Sequence, residues 1–193
     1  MSEKSGFLRT QLWSIILIVL VVVMGVEILF LVQENKKLRE ALSHSRGPVK
    51  ILSPEEKVPS LVGVDLKGEE FKLSYPSSEK TVLFFFSPDC PACEENLDFW
   101  KKLYQNHGSK KLRIVGATNS DRDKTEEFVK KFQLTFPVMI VSDLSLLDKY
   151  KVEAVPQTML IDTSGTVQKV WPGPLPEKYR KEIEVMLTSS SKP

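Results

Sequence analysis

From Leu12 to Val32 almost every position is bulky and apolar, 21 residues in which only Ser14, Gly25 and Glu27 depart from that character. At about 1.5 Å of rise per residue such a helix crosses a hydrocarbon core about 30 Å thick, so the pattern predicts a transmembrane helix at 12–32 after a short tail at 1–11. A cleaved secretory signal would have a shorter apolar core and a small-residue cleavage site. Here the run passes into Glu34, Lys36, Lys37 and Arg39 without one. No cysteine lies near its end to carry a lipid anchor. Leu31, Leu38 and Leu42, with Asn35, keep a heptad-like spacing that extends the helix to about Ser43. This is read as a solvated helix end, with a homodimer through the juxtamembrane helix as the alternative. Residues 44–57, with Gly47, Pro48 and Pro54, form a linker.

Beyond the linker, runs of strand length alternate with helical spacing. Leu61 to Asp65 and Glu70 to Ser74 flank Leu66-Lys67-Gly68-Glu69 and predict a small opening hairpin. Thr81 to Phe86 is uninterrupted apolar sequence, as in a strand covered on both faces. Pro91 to Gly108 follows with Leu97, Trp100 and Leu103 at helical spacing, Pro91 in the first turn and Gly108 at the stop. A strand is predicted at 112–118, a charged helix at 124–132, a strand at 138–141 and a short helix at 144–150. A closing hairpin at 157–162 and 166–171 turns at Ser164-Gly165, and a last helix covers 177–187. The order predicts one α/β domain at 58–187, with a mixed central sheet and helices on both faces, and a frayed tail at 188–193.

Composition narrows the function. The 193 residues carry 27 basic and 25 acidic side chains, a net charge of +2, and no strong field for nucleic acid follows from that total. There are two cysteines, Cys90 and Cys93, so a multi-disulfide scaffold is excluded and both thiols share one four-residue window. A Cys-x-x-Cys at a strand-to-helix junction puts the first sulfur at the helix N-terminus, where unpaired N–H groups and the helix dipole favour a thiolate. Cys90 is therefore the candidate nucleophile. Cys93, about one turn further on the same face, can attack a mixed disulfide at Cys90 and release the substrate. Pro91 removes a competing amide donor and presets the first turn.

Other uses of the pair fit poorly. A zinc site needs four ligands, and His44 and His107 are the only further candidates of the soft kind. Haem attachment needs histidine after the second cysteine, where Glu94 stands. A structural disulfide closing so small a loop would stabilise little. No metal or cofactor is called for.

These residues resemble the thioredoxin superfamily, specifically the membrane-anchored thiol:disulfide oxidoreductases of the TlpA and ResA type, within the broader redoxin family. The matching positions are Val58-Pro59, Asp65, Gly68 and Leu73, then FFFSPDCPAC at 84–93, then Val152 and VPQTMLIDTSG at 155–165. The resemblance implies a thioredoxin-like fold in which Pro156 is cis and faces the dithiol, and in which the Val155 backbone pairs with the substrate chain. It also implies protein disulfides as substrates, an upstream membrane dithiol protein as electron donor, and apocytochrome c maturation as the typical use.

Three positions depart from the family. The buried aspartate of thioredoxins is Phe84 here. The glutamate of ResA-type relatives is Asn96, leaving Glu94 and Glu95 as substitutes or as exposed carboxylates. The tryptophan usual before the first cysteine is Asp89, whose charge beside the thiolate is expected to push the pair toward a more reducing potential. Two alternatives stay open. Ser87-x-x-Cys90 matches the end of a peroxiredoxin pattern whose proline would fall at Leu83, and a membrane-tethered binding module could use the fold without catalysis.

The expectation is thus a single-pass membrane protein, held in lipid by residues 12–32, with an extracytoplasmic (periplasmic) head that reduces protein disulfides. Redox chemistry argues for that side. Flanking charge does not: Lys4 and Arg9 precede the span, whereas Lys36, Lys37, Arg39 and Arg46 follow it.

Overall fold

The computed structural model describes residues 3–45, 50–108 and 112–189. The chain divides into two compact units, Met1–Pro48 and Val49–Pro193.

The first unit is one helix, α1 (Glu3–Ser45), which takes in most of the stretch expected as an N-terminal tail. Within it Ile16–Lys37 has a mean hydropathy of 2.8 and none of it is buried, so by length and composition it can cross a membrane. The side chains of Leu38, Leu42, His44 and Arg46 lie outside the described ones, as do those of Lys4 and Arg9.

The second unit contains β1 (Leu61–Val64), β2 (Glu70–Leu73), β3 (Lys80–Phe85), α2 (Pro91–His107), β4 (Leu112–Thr118), α3 (Arg122–Phe132) and β5 (Val138–Ile140). It continues with α4 (Leu144–Lys149), β6 (Gln157–Ile161), β7 (Val167–Pro172) and α5 (Glu177–Ser189). The last helix reaches Ser189, two residues beyond its expected end at 187, and residues 190–193 are outside the described ones.

One mixed sheet runs β2-β1-β5-β4-β3-β6-β7. The pairs β3/β4 and β4/β5 are parallel, and β6 lies antiparallel to β3, with Phe85 opposite Gln157. This is the mixed-sheet α/β domain expected from the order of elements, and its fold is the thioredoxin-like one that the resemblance implies.

The apolar run of β3 is explained by the two cores it separates. Val82, Phe84 and Phe86 alternate onto one face with Leu97, Trp100 and Leu103 of α2, Phe128 of α3 and Ile183 of α5. Leu83 and Phe85 take the other face with Met159, Ile161, Leu147 of α4 and Tyr150. A strand sandwiched in this way has no solvent side on which a polar residue would gain, so alternation of polarity disappears. Gly63 is required where β1 meets β5, because a Cβ there would lie 2.3 Å from the Ile140 carbonyl oxygen.

Two boundaries move for identifiable reasons. The α3 helix starts at Arg122 rather than Lys124, because the Asp121 carboxylate caps it by accepting from the amides of Asp123 and Lys124. Residues 50–57, expected as linker, pack on the head: Leu52 is 3 % exposed, the Glu55 amide donates to the Val167 carbonyl at 2.9 Å, and Lys57 bridges Thr166. They cover the start of the edge strand β7, which would otherwise leave unpaired amides and carbonyls.

Candidate active site

β3 stops at Phe85, and Ser87-Pro88-Asp89 lead to Cys90, the N-cap of α2 with extended backbone (φ −111°, ψ 103°). Its side chain makes no capping bond, so the sulfur is left available at the helix start. The Cys93 amide donates to the Cys90 carbonyl at 3.0 Å and Pro91 occupies the first turn, as the spacing predicts. Both thiols are free; Cys90 is half-buried and Cys93 is 0 % exposed.

The second half of the site comes from the loop before β6. The Val155–Pro156 bond is cis, and the Cys90 thiol donates to the Val155 carbonyl at 3.6 Å across 65 positions of sequence. Gln157, next in the chain, falls by strand alternation on the same side of β6 as Met159 and Ile161.

Burial pushes the Cys93 thiol well up, assisted by its hydrogen bond with Cys90 and by the nearby negative charges of Cys90 and Glu94. A thiol whose folded pKa exceeds its unfolded value holds its proton longer in the native state. The associated stability is fully present below the ordinary thiol value of 9.0 and is lost as pH rises beyond it. Chemical denaturation should therefore show the reduced head losing up to about 1.4 kcal/mol per pH unit above pH 9, and the disulfide form losing nothing from this source. Equal slopes in the two forms would mean that Cys93 is not the titrating group.

Beneath the dithiol the position of the thioredoxin carboxylate is closed by aromatic packing. Phe84 stacks on Trp100 at 4.7 Å and meets the edge of Phe136 at 5.4 Å. The indole N–H of Trp100 donates to Thr158 Oγ1 at 3.1 Å. Neither Glu94 nor Glu95 substitutes for the missing acid, because both are exposed, and Glu94 lies 3.9 Å from Lys131. Asn96 is the residue that turns inward. It is 0 % exposed, donates from Nδ2 to the Gly173 carbonyl at 3.3 Å and accepts the Leu175 amide at 2.8 Å.

Asp89 is not the unopposed charge the sequence suggests. Lys124 Nζ of α3 lies 3.0 Å from its carboxylate, and this bond holds the Lys124 pKa up. Only chain folding brings these residues together, 35 positions apart. The two should move the potential of the pair in opposite directions: Asp89→Asn leaves a lone cation and makes the head more oxidising, whereas Lys124→Ala leaves a lone carboxylate and makes it more reducing. Both side chains are more than half exposed, so screening keeps each shift to roughly 10–20 mV against glutathione. Shifts of the same sign would remove the carboxylate from any electrostatic role.

Among the described residues no group of three or more His, Cys, Asp and Glu side chains is placed to hold a metal ion. His107 closes α2 at the end opposite the cysteines.

Residues 54–170 match the model of the AhpC/TSA family. The sporulation thiol-disulfide oxidoreductase A of Bacillus subtilis is 31% identical over 137 residues, covering 66% of this chain and 82% of the relative. The thiol-disulfide oxidoreductase ResA of Geobacillus kaustophilus is 32% identical over 133 residues, covering 68% and 74%. The crystal structure of StoA from B. subtilis superposes with a TM-score of 0.57 at 24% identity, covering 69% of this chain and 99% of that one. Peroxidoxin BcpB from Mycobacterium tuberculosis gives 0.62 at 16% identity, covering 74% and 99%, and at that identity the likeness is one of fold. With a cysteine pair at a helix N-terminus, a cis-proline facing it and these relatives, the chain belongs to the AhpC/TSA family, and within it to the ResA-like thiol-disulfide oxidoreductases.

Proposed function

We propose that this protein is held in the membrane by α1 and that its head, on the extracytoplasmic side, reduces disulfides of protein substrates. The observation that carries the reading is the asymmetry of the two sulfurs: Cys90 is half-buried and in contact with the Val155 carbonyl, while Cys93 is fully buried behind it. The Cys90 thiolate attacks one sulfur of the client disulfide, forming a mixed disulfide and expelling the other sulfur as a thiolate that takes up a proton. Cys93, losing its proton, then attacks Cys90, and the second client thiol leaves. Two electrons have passed to the client and the head is left with a Cys90–Cys93 disulfide. A second dithiol protein of the membrane restores it. The client chain lies along the Val155 backbone, and apocytochrome c is the class of client the resemblance implies.

Two measurements test this. The detergent-solubilised full chain should reduce insulin disulfides with dithiothreitol as donor and turn over peroxide no faster than free thiol does. Fast peroxide turnover without insulin reduction would favour the peroxiredoxin reading, and neither activity would favour a binding module. Protease added to intact spheroplasts should remove the head, and a head protected until lysis would reverse the topology.

A further inference from the structure

The attacking sulfur and the loop proposed to receive the client belong to different elements, the N-terminus of α2 and the segment before β6, so their register matters. A direct contact exists between Cys90 and Val155 but is made by the reacting thiol itself, and it is lost whenever that sulfur forms a disulfide. Besides the β3/β6 ladder, which sets Phe85 opposite Gln157, and the bond from Trp100 to Thr158, a connection that does not depend on the sulfur runs through Gly173. Its amide donates to the Pro156 carbonyl at 2.7 Å, while its own carbonyl accepts from Asn96 Nδ2 at 3.3 Å. Asn96 lies three residues after Cys93 and so on the same face of α2. Its other side-chain atom, Oδ1, takes the Leu175 amide at 2.8 Å. Gly173 adopts φ +80°, a conformation an L side chain rarely takes, and this turns its two peptide groups toward opposite partners.

Arg180 reinforces the same junction, donating to the Leu175 carbonyl at 2.7 Å and to the Glu95 carbonyl of α2 at 3.2 Å. The loop between is Pro172-Gly173-Pro174-Leu175-Pro176, whose three prolines restrict its backbone. The arrangement is a stiff strut from the cysteine helix to the proline loop.

We propose that Asn96 is a positioning residue: through Gly173 it fixes the Val155–Pro156 loop relative to the cysteine helix, so that a client strand paired with that loop presents its disulfide to Cys90. This rests on the proposed reduction of protein disulfides. It assigns to Asn96 a role that needs an amide, with one donor and one acceptor, where a carboxylate could supply only acceptors. A client that pairs with the loop needs the strut. A small disulfide that meets only the sulfur does not.

The test compares two disulfides in single turnover with the reduced, detergent-solubilised full chain: Ellman's reagent, and a peptide of about ten residues closed by one disulfide. Asn96→Leu removes both bonds at similar volume, and Asn96→Asp keeps the acceptor for Leu175 but loses the donor to Gly173. Gly173→Ala approaches the strut from its other end, where an added Cβ has nothing within 4 Å and the conformation alone is opposed. For each folded variant the peptide should react on the order of tenfold more slowly, while Ellman's reagent reacts within about twofold of the unaltered protein. Equal slowing of both, as a merely loosened fold would give, or no slowing of either, overturns the role of Asn96. Should the unaltered protein fail to reduce the peptide at all, it is the disulfide-reductase reading that falls.

Discussion

Cys93→Ser is expected to accumulate a covalent adduct with its client that dithiothreitol releases, whereas Cys90→Ser should trap almost none and should lose turnover altogether. The expectation comes from position. Cys90 stands at the N-cap position of α2 and is partly exposed, and Cys93 is 0 % exposed, so a folded protein disulfide can approach only the first. Once Cys90 holds the client, the serine hydroxyl at 93 cannot displace it, and the mixed disulfide persists until an external thiol attacks. Turnover in either variant should fall by at least a factor of about 10³, the usual scale for removing a covalent catalyst. Non-reducing electrophoresis followed by mass spectrometry would count the adducts and name the client. Comparable trapping by the two variants would mean that burial of Cys93 does not govern which sulfur attacks.

Phe84→Ala should destabilise the head more than any change at its surface. The ring is fully buried, stacks on Trp100 and meets Phe136 edge-on. Its removal leaves a cavity in a core that cannot collapse freely, because Trp100 is held in place by its bond to Thr158. Buried Phe→Ala changes cost about 3–5 kcal/mol, which for a domain of this size lowers Tm by roughly 10 °C or more. Thermal unfolding of the head followed by near-ultraviolet circular dichroism would measure it. A loss under about 1 kcal/mol would mean that the aromatic stack contributes little. The same stack closes this position to a carboxylate: an acid placed among these rings would be desolvated, and burial of that kind is costly.

How far the sequence alone reached depended on the range of the interaction behind each feature. The doubly covered strand at 80–85, the helix after Cys90 and the closing hairpin are written in local periodicity and turn residues, and they formed within a residue or two of expectation. The Cys-x-x-Cys placement at a helix start is likewise a matter of four adjacent residues. The linker expectation failed over 50–57 because what orders that segment is not its own composition but the exposed edge of β7, more than a hundred positions away.

The site divides in the same way. Sequence determined that there are two thiols, that one begins a helix, that an X-Pro bond lies downstream and that the acid of thioredoxins is absent, because each of these is a property of neighbouring residues. Only the tertiary structure decided that Val155 meets Cys90, that Lys124 offsets Asp89, and that Asn96 reaches Gly173 and Leu175, across 65, 35, 77 and 79 positions respectively. The physical reason is that hydrogen bonds and ion pairs are short-ranged, so a partner leaves no periodic trace in the chain and is chosen by where the sheet and its two cores set the loops down.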